Sequence, residues 1–174
     1  MFYYFPNSVW IFGGFENVSQ RMKYYKDLDS VKSEDDYGKI SDLKGKNSAM
    51  CVERAALSQN LLIDLGIKSI YKSSNIMVNG KLETHAYNLI DYNDEYYIYD
   101  ATIPTFDDDT MTITPLVAKI SKEAFDSMSM PLFDGCSVLV SHYNPLQKKD
   151  VTIVYDCDQE KKLIVDESNS KFIR

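Results

Sequence analysis

The hydrophobic pattern along the chain changes period near residue 67. From Ala49 to Leu65 there is no Gly or Pro, and Leu57, Leu61 and Leu65 recur at four-residue spacing beside a second row of Ala55 and Leu62. That pattern predicts an amphipathic helix, capped by Asn47 or Ser48 and stopped by Gly66, with a stripe broad enough for a buried, central helix. From Ile67 onward β-branched and aromatic residues alternate with polar ones. A short strand, Ile76 to Val78, runs into an Asn79-Gly80 turn, and His85 to Asp91 with Tyr96 to Asp100 flank the polar turn Tyr92-Asn93-Asp94-Glu95 as an antiparallel hairpin. Further on, Ser121 is placed to cap a short helix to about Met128, and Ser137 to Val140, Val151 to Tyr155 and Leu163 to Val165 read as strands.

The first 46 residues read differently. MFYYFPNSVWIFGGF carries no charge, yet it has no Lys or Arg ahead of its apolar part and is interrupted by Pro6, Gly13 and Gly14, so it reads as folded aromatic structure and not as a signal peptide. Ser19 is placed to cap a short helix to about Leu28, with Met22, Tyr25 and Leu28 on one face, and the charge-dense residues 26–46 form a surface connection. The expectation is one domain over residues 1–174: an N-terminal segment 1–46, a core 47–105, and C-terminal strands with a short helix over 106–174.

Composition narrows the classes of function. With 44% hydrophobic and 13% aromatic residues, a packed core is affordable and disorder is excluded as the main state. Nineteen Lys and Arg against twenty-six Asp and Glu give a formal charge of −7. No basic field is available for nucleic acid or anionic lipid, and no unbroken apolar run exceeds five residues, far short of the roughly 20 that span a bilayer. Neither nucleic acid nor membrane is expected as a partner. Three widely spaced cysteines, Cys51, Cys136 and Cys157, make neither a disulfide framework nor a zinc ribbon, which favours a reducing, cytoplasmic compartment.

Chemistry converges on three residues. Cys51 falls in the first turn of the predicted helix, where unpaired N–H groups and the positive end of the macrodipole favour a thiolate. His85 opens one strand of the hairpin and Asp100 closes the other. In an antiparallel pair opposite residues have a constant sum of indices, so a turn centred between 92.5 and 93.5 puts residue 100, 101 or 102 opposite His85. Centring on Tyr92-Asn93 pairs His85 directly with Asp100. Asp91 shares the strand face but lies roughly 20 Å along it, so it is a poor orienter. A thiol at a helix start and a histidine oriented by a carboxylate are the parts needed for thiolate acyl transfer.

Two blocks, CVERAALSQNLLIDLGI from Cys51 to Ile67 and HAYNLIDYNDEYYIYDAT from His85 to Thr102, resemble the transglutaminase-like branch of the papain-like cysteine enzymes. The matching elements are Cys51, the pair Leu61-Leu62, Leu65-Gly66-Ile67, His85-Ala86-Tyr87 and Asp100-Ala101-Thr102, in that order. Tyr87 replaces the commoner tryptophan, and Met50 stands where a small or β-branched residue is usual. The resemblance implies an α+β fold, a papain-like core with a central Cys-bearing helix packed on an antiparallel sheet. It implies Cys51 as nucleophile, His85 as general base then acid, and Asp100 fixing the imidazole. For the oxyanion, the Cys51 N–H is one donor; Asn47, four residues upstream, resembles the side-chain amide donor of papain-like enzymes in type though not in spacing, and a helix cap is its favoured role.

The resulting expectation is a cysteine-dependent amide-bond hydrolase, whether peptidase, amidase or protein deamidase, acting on a protein or peptide through an acyl-thioester and needing no cofactor. A transglutaminase cross-linking to an amine, or a non-catalytic binding module, are the rivals. A zinc site at Cys51, His85 and Asp100 is disfavoured because short-spaced ligand pairs are missing. Cys136, Cys157 and the Asp107-Asp108-Asp109 run are assigned no chemistry, and His142 is placed in a loop.

Overall fold

The computed structural model describes residues 50–107, 111–130, 136–157 and 162–164. The expected helix from Ser19 and the aromatic segment before it lie outside the described residues. Helix α1, Cys51–Asp64, is followed by strands β1, Lys68–Val78, β2, Lys81–Tyr92, β3, Glu95–Asp107, and β4, Thr112–Ile120. Helix α2, Lys122–Ser129, then leads to β5, Cys136–Asn144, β6, Lys149–Tyr155, and β7, Lys162–Ile164. The strands form one seven-stranded sheet in the order β4-β3-β2-β1-β6-β5-β7, antiparallel except for the short β5–β7 pair.

Tight turns set the long meander. Asn79 and Gly80 both take positive φ, 49° and 82°, as do Asn93 and Asp94 at 54° and 61°. Two left-handed residues in a two-residue loop give a turn whose twist matches that of the flanking strands, so β1–β2 and β2–β3 pair closely from their first residues, Val78↔Lys81 and Tyr92↔Glu95. The sheet curls until β3 touches β5, four places away in the strand order.

Its concave side and α2 make the core. Tyr87, Leu89, Ile98, Leu116, Val138, Val140, Ile153 and Tyr155 pack with Ala124, Phe125 and Met128 of α2 in one cluster. Helix α2 starts where Ser121 predicts, with the Ser121 hydroxyl accepting from the Ala124 N–H at 3.1 Å.

The expected α+β, papain-like core around a central helix is not what forms. Among the described residues the structure is mostly antiparallel sheet, with only two short helices. Helix α1 buries Glu53 and Ala55 alone, its leucine rows are at most half-buried, and Ile63 and Leu65 are 56% and 67% exposed. The curled sheet and α2 already fill the core volume, so the leucine spacing marked a helix correctly but not its depth. Polar groups dock α1 instead: Asn88 Nδ2 donates to the Ala55 carbonyl and to Gln59 Oε1, both at 3.1 Å, and Gln59 Nε2 donates to the Ser69 carbonyl at 2.7 Å.

Two further corrections concern boundaries. Helix α1 is capped by Met50 rather than by Asn47 or Ser48, and the Met50 N–H donates to Glu53 Oε2 at 3.0 Å. Strand β4 was not expected, since Pro115 interrupts its pattern; at the end of the sheet order a proline is tolerated, and Leu116, Ala118 and Ile120 alternate inward. No helix among the described residues is long and apolar enough to cross a membrane.

This division of labour is measurable by urea denaturation. Ile153→Ala, at a fully buried position, is expected to cost about 3 kcal/mol. Ile63→Ala, on the exposed side of α1, is expected to cost less than about 1 kcal/mol. Equal losses would restore α1 to the core.

Candidate active site

The site forms where two strands part. The β2–β3 ladder runs from Tyr92↔Glu95 to Asn88↔Tyr99 and ends there. Immediately beyond, β3 slips against β4, its register passing from Asp100↔Leu116 to Pro104↔Pro115, so that residues 101–103 bulge out. Asp100 closes this bulge itself: Oδ1 accepts the N–H groups of Thr102 at 2.9 Å and Ile103 at 3.3 Å.

The observed register sums to 187, and continuing it places Thr102, not Asp100, across from His85. The direct pairing expected from a turn at Tyr92-Asn93 is therefore replaced by a diagonal one, because the turn residues are Asn93-Asp94. Beyond the end of the ladder the carboxylate reaches across to the ring: His85 Nε2 lies 2.7 Å from Asp100 Oδ2. Tyr155, on β6, donates its hydroxyl to the same oxygen at 2.9 Å. With Nε2 committed to Asp100, the ring's Nδ1 is left for the sulfur of Cys51, which hydrogen-bonds to His85 and to the N–H groups of Ala86 and Val52.

Electrostatics follow from burial set against these partners. Burial pushes the Cys51 thiol up, but the hydrogen bond and charge of His85 and the two backbone N–H groups outweigh it, and the net shift is below the ordinary 9.0. Burial pushes His85 down; the charge and hydrogen bond of Asp100, with the sulfur, reverse this and raise it from 6.5 to about 10. Asp100, fully buried, would be raised by desolvation, yet His85, the Thr102 N–H and the Tyr155 hydroxyl hold it below the usual carboxylate range. These shifts move the row toward thiolate, imidazolium and carboxylate. Arg54, one turn into α1, adds its charge near Cys51 and Asp100, and its burial lowers its own proton affinity.

Other expected positions separate from this site. Asn47 lies outside the described residues, as do Asp108 and Asp109. Asp91 pairs with Lys68 at 2.6 Å. Cys136 is buried in the core, and Cys157 is half-buried at the end of β6, its N–H donating to the Asn75 carbonyl at 2.7 Å. His142 is a correction: it is no loop residue but sits within β5, buried, because β5 alternates Val138, Val140, His142 and Asn144 inward. Tyr155 was missed. On β6 it continues the inward alternation of Val151 and Ile153, so its sequence signal is that of core, and only the curl of the sheet brings its hydroxyl to Asp100.

Among the described residues no group of three or more His, Cys, Asp and Glu is placed to hold a metal ion. Comparison with family models, curated proteins and solved structures finds no match to this chain.

The proton count of the Cys51–His85 pair makes stability a probe of the site. Unfolded, a thiol near 9.0 and an imidazole near 6.5 hold two protons at low pH, one between these values and none above. Folded, the pair holds one proton from the lowered Cys51 value up to about 10. His85, raised from 6.5 to about 10, contributes stability that is fully present below 6.5 and is lost as pH rises toward 10, whereas Cys51, lowered from 9.0, contributes stability that is present above 9.0 and is lost as pH falls through its folded value. In Cys51→Ala only the His85 contribution remains, so wild type is expected to gain stability relative to the variant as pH rises through the lowered Cys51 value toward 9.0. Urea unfolding at about pH 7 and about pH 8.5 reads the difference. Parallel slopes would separate Cys51 from His85.

Proposed function

We propose that the chain is a cysteine-dependent amide-bond hydrolase acting on a protein or peptide. The Cys51 thiolate attacks the carbonyl carbon of a peptide bond or a glutamine side chain. The C–N bond breaks, the leaving nitrogen takes a proton from His85, and an acyl-thioester forms. His85, now neutral, removes a proton from water; the oxygen attacks the thioester, the acid departs, and the thiolate is regenerated against the imidazolium. The Cys51 N–H, at the start of α1, is one donor for the oxyanion of both tetrahedral intermediates. Asp100 holds the imidazole and offsets its charge.

The single observation that carries this reading is the unbroken row Cys51–His85–Asp100, with the sulfur lowered and the imidazole raised in proton affinity. An inert strand histidine has no need of a buried carboxylate on one nitrogen and a thiol on the other. The two sequence blocks that resemble the transglutaminase-like enzymes contribute the same three side chains, as local chemistry and without the fold expected of that family. Water is preferred to an amine as acceptor because nothing among the described residues marks a dedicated amine channel.

Peptide libraries read by mass spectrometry test the proposal, scoring backbone cleavage, the roughly one-dalton gain of deamidation, and amine incorporation. Cys51→Ala is expected to abolish turnover with the fold retained. Asp100→Asn is expected to lose about three or more orders of magnitude in kcat with substrate binding largely kept, since it leaves the shape but allows the wrong tautomer. Turnover surviving in Cys51→Ala would end the proposal, and amine incorporation in place of hydrolysis would reassign the acceptor.

A further inference from the structure

Asp100 is a full charge buried completely, and such a charge persists only where donors surround it. Four are in place. Two are the backbone N–H groups of Thr102 and Ile103 on Oδ1; the other two, His85 Nε2 and the Tyr155 hydroxyl, converge on Oδ2. Tyr155 is thus the only side chain besides His85, among the described residues, that bonds this carboxylate. It comes from a strand 55 residues further along the chain. Its ring is fixed edge-on to Tyr87 with centroids 4.9 Å apart, so the hydroxyl has little freedom to turn away.

Resting on the hydrolase reading above, we propose that Tyr155 is a fourth member of the site, a positioning residue that pins Asp100 Oδ2 in line with His85 and keeps it anionic. The backbone donors hold one carboxylate oxygen; without Tyr155 the other keeps the imidazole as its one partner, and the group is freer to tilt about that hinge. The chain of effect runs from Tyr155 through Asp100 to His85 and then to the sulfur. Among the described residues Arg54 from α1, Tyr99 from β3 and His142 from β5 also interact with the charge of Asp100. Burial disfavours the charged form of His142, and Arg54 attracts the carboxylate without fixing its direction.

Neutral chloroacetamide is the probe, with the rate of modification of each cysteine followed by mass spectrometry from acid to alkaline pH. In wild type, Cys51 is expected to react with an apparent pKa below that of a free thiol. Tyr155→Phe keeps the ring and its packing, which thermal unfolding verifies, and is expected to slow Cys51 modification at neutral pH by about tenfold, moving its apparent pKa upward. Tyr97→Phe, which removes a hydroxyl bonded to Glu95 in the same sheet, is expected to match wild type. Because Tyr155 acts only through Asp100, Tyr155→Phe is expected to add nothing in an Asp100→Asn background.

A Tyr155→Phe profile equal to wild type, with wild-type Cys51 still activated, overturns the role of Tyr155 and leaves the hydrolase reading standing. An additive loss in the Asp100→Asn background assigns Tyr155 to packing alone and overturns the proposal as well. A wild-type Cys51 that reacts like a free thiol removes both readings together.

Discussion

One charge, the Asp100 carboxylate, organises the site and the strands around it. Taking a carboxylate out of water is among the costliest steps in folding, and leaving any of its oxygens without donors costs more still. The chain meets that requirement from three places: the β3 bulge that follows Asp100, the β2 strand bearing His85, and the β6 strand bearing Tyr155. Each partner also has a structural effect. The bulge ends the regular β3–β4 register, His85 ties β2 to β3 where their ladder has stopped, and Tyr155 ties β6 across the concave face. Stability and the proposed chemistry therefore draw on the same bonds.

Helix α1 illustrates how little core an element needs to place its first turn. Its hold on the sheet is largely a polar run from Ala55 and Gln59 to Asn88 and Ser69, with Ala55 as the one buried apolar side chain. Such contacts specify position well and contribute modestly to stability. The first turn consequently sits at a defined place beside Ala86 and His85 while the far end of the helix, at Ile63 and Leu65, stays open to solvent.

How much of this was legible in the sequence depends on the range of the interaction. Local signals read correctly: the Asn79-Gly80 turn, the Ser121 cap, the hairpin that carries His85 and Asp100, and the helix that begins with Cys51. Asp100 and His85 were found because a tight turn makes distances across a hairpin calculable, although the turn slid by one residue and the pair became diagonal. What failed was whatever depends on depth or on distant strands. Leucine periodicity cannot tell a helix in the core from one lying on a sheet already covered by α2. Pro115 hid β4, because its tolerance there follows from its place in the strand order. Tyr155 reads as an ordinary inward-facing aromatic, and nothing local marks its hydroxyl. The α+β expectation came from motif resemblance, which carried side-chain identities but not the architecture.

The strand order also dictates when such a site can come into being. Hairpins β1–β2, β2–β3 and β5–β6 close short loops and can form as soon as their residues are available, whereas β6 reaches β1 through Met77↔Val154 and Val78↔Ile153, a closure spanning most of the described chain. Loop-closing entropy makes contacts of that span late events. A nascent chain that has exposed Cys51, His85 and Asp100 on the ribosome still lacks β6, and with it the phenol that completes the carboxylate's shell. Oδ2 of Asp100 therefore gains its second donor only when the sheet is complete.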